Sequence, residues 1–251
     1  MKNRPAYKLL TFLIIAFAFL AGCQPAYVKY RGTHHHDGKL VYINPGSLSS
    51  FSVPEYPAAG TAEYSRDMDA LHLWQNKRSA GQCAAAESQQ FAYISEFFPE
   101  YKDFFDSLPG TDKEFLYRIY EDAHTVNGRV KAGYKRPRPF LEDPTLRPCP
   151  EVGEIPGYAY PSGHATMAAV FTRLMLAVDP GNAENIRKEG FQAGLNRIIA
   201  GVHHPTDIEA GTFLGEAVFD EFMKDGKFSG GVDRLRAEFL KYKEKTTAEK
   251  K

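Results

Sequence analysis

Three short stretches of this chain carry residue types suited to holding an anion and moving a proton. The middle one reads Tyr160-Pro161-Ser162-Gly163-His164-Ala165-Thr166. Pro161 cannot sit inside a helix, whereas the run Ala165-Thr166-Met167-Ala168-Ala169-Val170-Phe171 forms helix readily. The sequence therefore predicts a helix start at Ser162 or Gly163. Unpaired backbone N–H groups and the positive end of the helix dipole attract negative charge at such a start. Ser162 can add a hydroxyl donor, and Gly163 lets the backbone approach a ligand closely. His164, in the first turn, can carry a proton.

The other two stretches flank it. One is Lys131-Ala132-Gly133-Tyr134-Lys135-Arg136-Pro137-Arg138-Pro139; the other runs from Asn196-Arg197 through Gly201-Val202-His203-His204-Pro205-Thr206-Asp207. In order they give Lys, six residues, Arg-Pro; then Pro-Ser-Gly-His; then Arg, five residues, His, three residues, Asp. This three-part pattern resembles the phosphate-binding signature of one superfamily. Its members are type 2 phosphatidic acid phosphatases, class A bacterial non-specific acid phosphatases and vanadium haloperoxidases. The class A phosphatases are the nearest likeness. One position departs: the third motif usually opens Ser-Arg, and here it opens Asn196-Arg197. Asn can still donate to a phosphate oxygen or to a neighbour.

A phosphate monoester is a doubly charged anion whose uncatalysed hydrolysis is among the slowest reactions known. Without a metal, a site needs cations, directed donors, a nucleophile and an acid. Lys131, Arg138 and Arg197 would neutralise the phosphoryl oxygens, the arginines through bidentate forks. Ser162 and Gly163 add donors at the helix start. Of the histidines, His203 has Asp207 four residues on, placed to fix its tautomer and steady the charge that develops. The reading is therefore His203 as nucleophile, Asp207 as its orienter and His164 as the acid. The resemblance implies the same roles, through a phosphohistidine that water then hydrolyses. Because the acid must be protonated and the nucleophile neutral, these roles predict a bell-shaped pH profile centred on mildly acidic to neutral pH, and the three cations oppose a metal, so no metal and no cofactor are expected. His204 reads as a pocket wall. Lys135 and Arg136 read as a widening of the positive funnel or as solvated charge. His72 and His124 read as structural.

The elements that must position these residues are helices. Thr61 opens one that runs to about residue 78, and Ser79 opens a second to about Phe91. Phe97, Phe98, Phe104 and Phe105 form a core aromatic cluster. Thr111-Asp112-Lys113-Glu114 has the pattern of a capping box, and a long helix follows, with Phe115, Leu116, Ile119, Tyr120, Ala123 and Val126 or Val130 on one face and its end near Lys131. Pro137 and Pro139 stop helix and hold Arg138 extended. The helix from Ser162 to about Val178 is nearly all apolar and should be central. Asn182 caps the next, with Phe191, Leu195, Ile198 and Ile199 on its buried face and Gly201 ending it. Thr206-Asp207 begin another, in which Gly211 and Gly215 permit close packing. The last runs from about Val232 to Glu244, with a frayed Lys-rich tail. A short apolar piece, residues 39–43, carries the one strand signal. The fold class expected is all-α, a single-domain helical bundle of the acid phosphatase and haloperoxidase type.

Lys2, Arg4 and Lys8 precede an apolar run, which ends Leu20-Ala21-Gly22-Cys23. This has the layout of a secretory leader and resembles a bacterial lipobox. It implies a signal peptide over residues 1–22 and lipid on Cys23. Gln24, where an inner-membrane retention signal would place Asp, leans toward the outer membrane facing the periplasm. Residues 23–58 then read as a tether and extended arm, in which His34-His35-His36-Asp37 is a solvated run, and 59–246 as the helical domain. In an oxidising compartment Cys83 and Cys149 can pair or stay as buried thiols. Pairing would close a loop of about 65 residues and stabilise by about 4 kcal/mol in the chain-entropy model.

Lys+Arg and Asp+Glu both number 31, so global charge points to no nucleic acid, and any anion site is a local cluster. The leading expectation is a periplasmic acid phosphatase acting on a small-molecule phosphate ester. The alternatives are a lipid-phosphate or diphosphate phosphatase, a vanadium-dependent haloperoxidase and a non-catalytic phosphate-binding lipoprotein. Oligomeric state is not legible.

Overall fold

The computed structural model describes residues 39–149, 155 and 157–249. The leader, the lipidation position Cys23 and the His34-His35-His36-Asp37 run lie outside the described residues. Among these residues the fold is all-α, with no strand. The α-helices are α1 (Ala62–Lys77), α2 (Ala80–Glu87), α3 (Ile94–Phe97), α4 (Lys102–Ser107), α5 (Gly110–Gly133), α6 (Pro139–Glu142), α7 (Gly163–Val178), α8 (Ala183–Ile199), α9 (Pro205–Phe222) and α10 (Gly226–Ala248). No described helix is long and apolar enough to cross a membrane.

Helix α7 is the centre of the bundle, and α5, α8, α9 and α10 pack around it. Its apolar sequence leaves little that water could solvate, so it buries residues on all sides, from Ala165 to Val178. Helix α9 lies closest, and glycine is the reason. A Cβ on Gly211 would stand 2.4 Å from the Ser162 carbonyl oxygen, and one on Gly215 would stand 2.4 Å from that of Thr166. Side chains there would push α9 away from the start of α7, where the anion-binding residues sit. Phe97, Phe98, Phe104 and Phe105 are all buried in the main core, as expected.

Local chemistry sets several boundaries as read from the sequence. The Thr61 side chain caps α1, Ser79 forms a capping box with Gln82 at the start of α2, and Ser162 caps α7. Gly201 takes φ +75°, the left-handed conformation that ends α8. Cys83 and Cys149 form a disulfide with Cα atoms 5.5 Å apart, in a small satellite core with Ala86, Ala200 and Val202.

Other expectations are corrected. Helix α5 starts at Gly110 behind Pro109, so Thr111 lies inside the first turn and makes no capping box. The Pro109 carbonyl accepts from the Asp112 and Lys113 amides instead, and Asp112 pairs with Arg234 at 3.5 Å. Residues 39–43 form no strand. The amides of Val41, Tyr42 and Ile43 all converge on the Asp122 carboxylate, at 2.9, 2.7 and 3.1 Å, so a side chain supplies what a partner strand would have. Helix α2 stops at Glu87, short of Phe91, and α10 begins at Gly226, earlier than Val232. Pro139 opens the short α6 rather than only ending structure, with Arg138 extended before it at φ −70°, ψ 149°. Asn182 stands at the start of α8, but its side chain donates to Glu100 and Tyr101. Phe191 is 72% exposed, and Leu195 and Ile198 are only partly buried. The face of α8 turned inward carries Ile186, Ala193, Asn196, Arg197 and Ile199. Two polar residues of the site thus set its rotation, and Phe191 falls on the opposite side.

Candidate active site

The three motifs are stitched together by hydrogen bonds among themselves. Lys131, in the last turn of α5, donates from Nζ to the carbonyls of Pro161 (2.6 Å), Tyr158 (2.9 Å) and Ala159 (3.2 Å), which ties the first motif to the second. The Ser162 amide donates to the Asp207 carbonyl at 2.9 Å, tying the second to the third. Arg138 donates from Nη1 to the Val202 carbonyl at 3.0 Å and meets His203 Nε2 at 2.8 Å, tying the first to the third.

His203 is buried, and its two ring nitrogens face chemically opposite partners. Nδ1 lies 3.2 Å from Asp207 Oδ2, and Nε2 faces the Arg138 guanidinium. A carboxylate only accepts and a guanidinium only donates. Nδ1 must therefore carry the proton, and Nε2 must present a lone pair. Burial first, and then the Arg138 charge, hold the imidazole pKa well below its ordinary value, so the ring is neutral. Asp207 stays ionised, its carboxyl held low against burial by hydrogen bonds from His203 and His204.

His164 sits in the first turn of α7 and donates from Nε2 to the Gln89 carbonyl at 2.9 Å. Burial, then Arg197 and His203, push its pKa well down. Ser162 Oγ accepts from the Ala165 amide at 3.3 Å, which closes the cap and leaves its hydroxyl hydrogen to donate. Gly163 also sits close to α5: a Cβ there would lie 3.3 Å from Asn127 Oδ1, a tight contact that would make the Asn127 side chain give way. Arg197, near the end of α8, donates to the Ala86 carbonyl at 3.2 Å and is pushed down to about 10 by burial and by Arg138. Arg138 is likewise pushed down to about 10, by burial. Lys131, Arg138, Ser162, Gly163, His164, Arg197, His203 and Asp207 thus belong to one connected site.

The Lys131 ammonium is pushed down to about 7 by burial and then by Arg138. A depressed lysine is charged below its pKa and neutral above it. Sulfate, which does not titrate in this range, should therefore bind more weakly as pH rises through about 7, and Lys131→Arg should hold its affinity to higher pH. Calorimetric titration of both proteins reads this. Equal pH dependence would remove Lys131 from the anion site.

Two residues differ from the sequence reading. His204 is not a pocket wall: it is fully buried, with Nδ1 3.1 Å from Asp207 Oδ2 and Nε2 3.3 Å from Glu142 Oε2. Its pKa is raised despite burial, because these carboxylates hold the charged ring. Arg136 neither widens a funnel nor is solvated. It is 1% exposed and bridges Asp67 and Asp207. Lys135 is exposed, His72 pairs with Asp143 at 2.9 Å, and His124 stacks on Tyr120. Asn196 turns to a neighbour, donating to Gln89 Oε1 at 2.8 Å. It thereby steadies the residue whose carbonyl holds His164. Gln89, Asp67 and Glu142 carried no local signal. Arg136 could have been suspected from its place just before Pro137, two residues from Arg138.

Residues 119–225 match the model of the PAP2 superfamily. Over 111 residues the chain is 28% identical to a non-specific acid phosphatase of Salmonella typhimurium, covering 43% of this chain and 44% of that protein, less than half its length. It is 28% identical over 169 residues to a non-specific acid phosphatase of Providencia stuartii, 66% of this chain and 64% of the other. An acid phosphatase of Zymomonas mobilis is 23% identical over 219 residues, 83% of this chain and 78% of the other.

Proposed function

The chain carries a PAP2 superfamily domain across residues 119–225, and from that premise we propose that it is a metal-independent acid phosphatase that hydrolyses phosphate monoesters through a phosphohistidine. The observation that carries this reading is the placement of His203 between opposite partners, Nδ1 on Asp207 and Nε2 on Arg138, which puts the lone pair on Nε2.

In the proposed reaction Arg138 turns its Nη1 from His203 to the phosphoryl oxygens, and the freed Nε2 lone pair attacks phosphorus as the ester P–O bond breaks. Arg138, Arg197, Lys131 and the amides at the start of α7 take up the charge on the equatorial oxygens. The leaving oxygen receives a proton from His164. With Nε2–H committed to Gln89, Nδ1 is the nitrogen that takes up that proton beforehand. The low pKa of His164 comes first from burial and then from nearby cations, Arg197 foremost. A dianionic ester among those cations reverses the local field and favours the protonated ring. In the second half His164 takes a proton from water, hydroxyl attacks phosphorus, and the N–P bond breaks to restore neutral His203. Resident cations already supply the charge that a metal would bring.

The same reading places the mature chain in the periplasm, held to the outer membrane by lipid on Cys23. The Cys83–Cys149 disulfide is in keeping with an oxidising compartment.

The test is turnover of nucleotides, sugar phosphates, diphosphates, phosphatidic acid and p-nitrophenyl phosphate, with and without chelator, together with the intact mass of the mature chain. Monoester turnover that survives chelator, with an acylated N-terminal Cys23, is expected. Turnover that requires added metal would overturn the reading of the site. An unmodified N-terminus at another residue would overturn the anchor.

A further inference from the structure

We infer that Arg136 is a positioning residue for phosphoryl transfer: it holds the Asp207 carboxylate in the orientation that meets His203. The inference rests on the histidine-nucleophile reading above.

Asp207 uses its two oxygens differently. Oδ2 accepts from His203 Nδ1 (3.2 Å), His204 Nδ1 (3.1 Å) and the His204 amide (2.8 Å). Oδ1 receives Arg136 Nη1 at 2.8 Å. The same nitrogen donates to Thr206 Oγ1 at 2.7 Å, and Nη2 donates to Asp67 Oδ2 at 2.8 Å. Asp67, from α1, also accepts from the Thr206 amide at 3.1 Å and from its hydroxyl. The planar guanidinium therefore locks α1 to the first turn of α9 and fixes the plane of the Asp207 carboxylate. The Tyr56 ring covers the guanidinium, with Cζ 5.2 Å from its centroid.

Arg136 also holds the approach to the second motif, because its carbonyl accepts from the amide of Ala159, the residue just before Tyr160, at 2.9 Å. Burying an arginine between two aspartates is a weak route to stability, since apolar replacements of such clusters are often neutral or better. Arg136 Nε, moreover, is buried without a hydrogen-bond partner. What the arrangement does provide is direction: without it, Oδ1 and Oδ2 could exchange places and the His203 tautomer would lose its template.

The other charged groups around this centre are Arg138 on His203 Nε2, Lys131 at the end of α5, His164 on α7, Arg197 on α8, and the His204–Glu142 pair. Removing the Arg136 charge leaves Asp207 less neutralised, so the His203 imidazole should gain basicity.

The experiment follows the ring nitrogens of His203 by NMR against pH, with kcat and KM for p-nitrophenyl phosphate, in the full chain. Arg136→Met should lower kcat about tenfold to a hundredfold with KM little changed, as loss of an outer orienting contact commonly does. His203 should titrate at higher pH and show mixed tautomers. Arg136→Lys should return the titration toward wild type while kcat stays low, because one ammonium cannot hold Asp67, Thr206 and Asp207 together. If Arg136→Met leaves tautomer and kcat as in wild type, or raises KM alone, the inference is overturned. It is equally overturned if Arg136→Lys restores full kcat. Should Arg136→Met not fold, Asp67→Asn keeps the shape but frees the fork. Lower kcat at unchanged KM then supports the inference, and unchanged kcat overturns it. A wild-type protein that turns over no ester removes the parent reading instead, whatever His203 does in the spectra.

Discussion

His203→Ala is expected to abolish turnover, with kcat lowered by about four orders of magnitude or more, the size seen when a covalent nucleophile is deleted. No neighbour can replace it. His204 has its nitrogens against Asp207 and Glu142, whose carboxylates raise its pKa despite burial and favour the charged ring, which has no lone pair. His164 has Nε2 committed to the Gln89 carbonyl, and its Nδ1 carries the proton for the leaving oxygen in the proposed reaction. Lys131 is engaged with three carbonyls. The fold should survive, because the loss removes one ring and leaves the Arg136 bridge between Asp67 and Asp207 in place; thermal melting checks this. A phosphoryl group on histidine is acid-labile and alkali-stable. Labelled substrate quenched in alkali should therefore leave label on wild-type protein and none on the variant. A burst of labelled protein from His203→Ala, or label carried by His164, would reverse the assignment of nucleophile and acid.

Loss of the Cys83–Cys149 disulfide is expected to lower stability by about 4 kcal/mol, from the chain entropy released by opening a crosslink of sequence separation 66. Activity should suffer as well. The bond holds α2 against the turn after α8, where the Cys149 amide donates to the Ala200 carbonyl at 3.0 Å. Helix α2 supplies the Ala86 carbonyl that receives Arg197, and the segment after it supplies the Gln89 carbonyl that receives His164. The satellite core around the bond is small, with two alanines and a valine as its other buried members, so little else clamps α2 in place. Urea unfolding with and without reductant, and of the Cys83→Ser/Cys149→Ser double variant, measures the first effect; KM measures the second. An unchanged midpoint and unchanged KM would show that α2 is held by other means.

The sequence by itself determined whatever depends on neighbours within a few residues. Helix starts at Thr61, Ser79 and Ser162 were legible from local residue types, and the structure shows each hydroxyl reaching an amide three residues on, whereas the capping pattern at Thr111 was displaced by Pro109. Gly201 was legible because a helix end favours a left-handed residue, and the central place of α7 because its apolar run leaves it no polar face. The ordered motifs named every member of the connected site except those that steady it from behind. The tertiary structure alone decided the rest. Arg136 meets Asp67 and Asp207 across 69 and 71 residues of chain, and Asp122 meets the amides of Val41 to Ile43 across about 80. Phe191 faces outward because α8 is rotated by what Asn196 and Arg197 must reach. Local periodicity records how a helix could bury its apolar residues. Which face is buried, and which carboxylate meets which cation, follows from desolvation and pairing among groups far apart in sequence, and those exist only once the helices have packed.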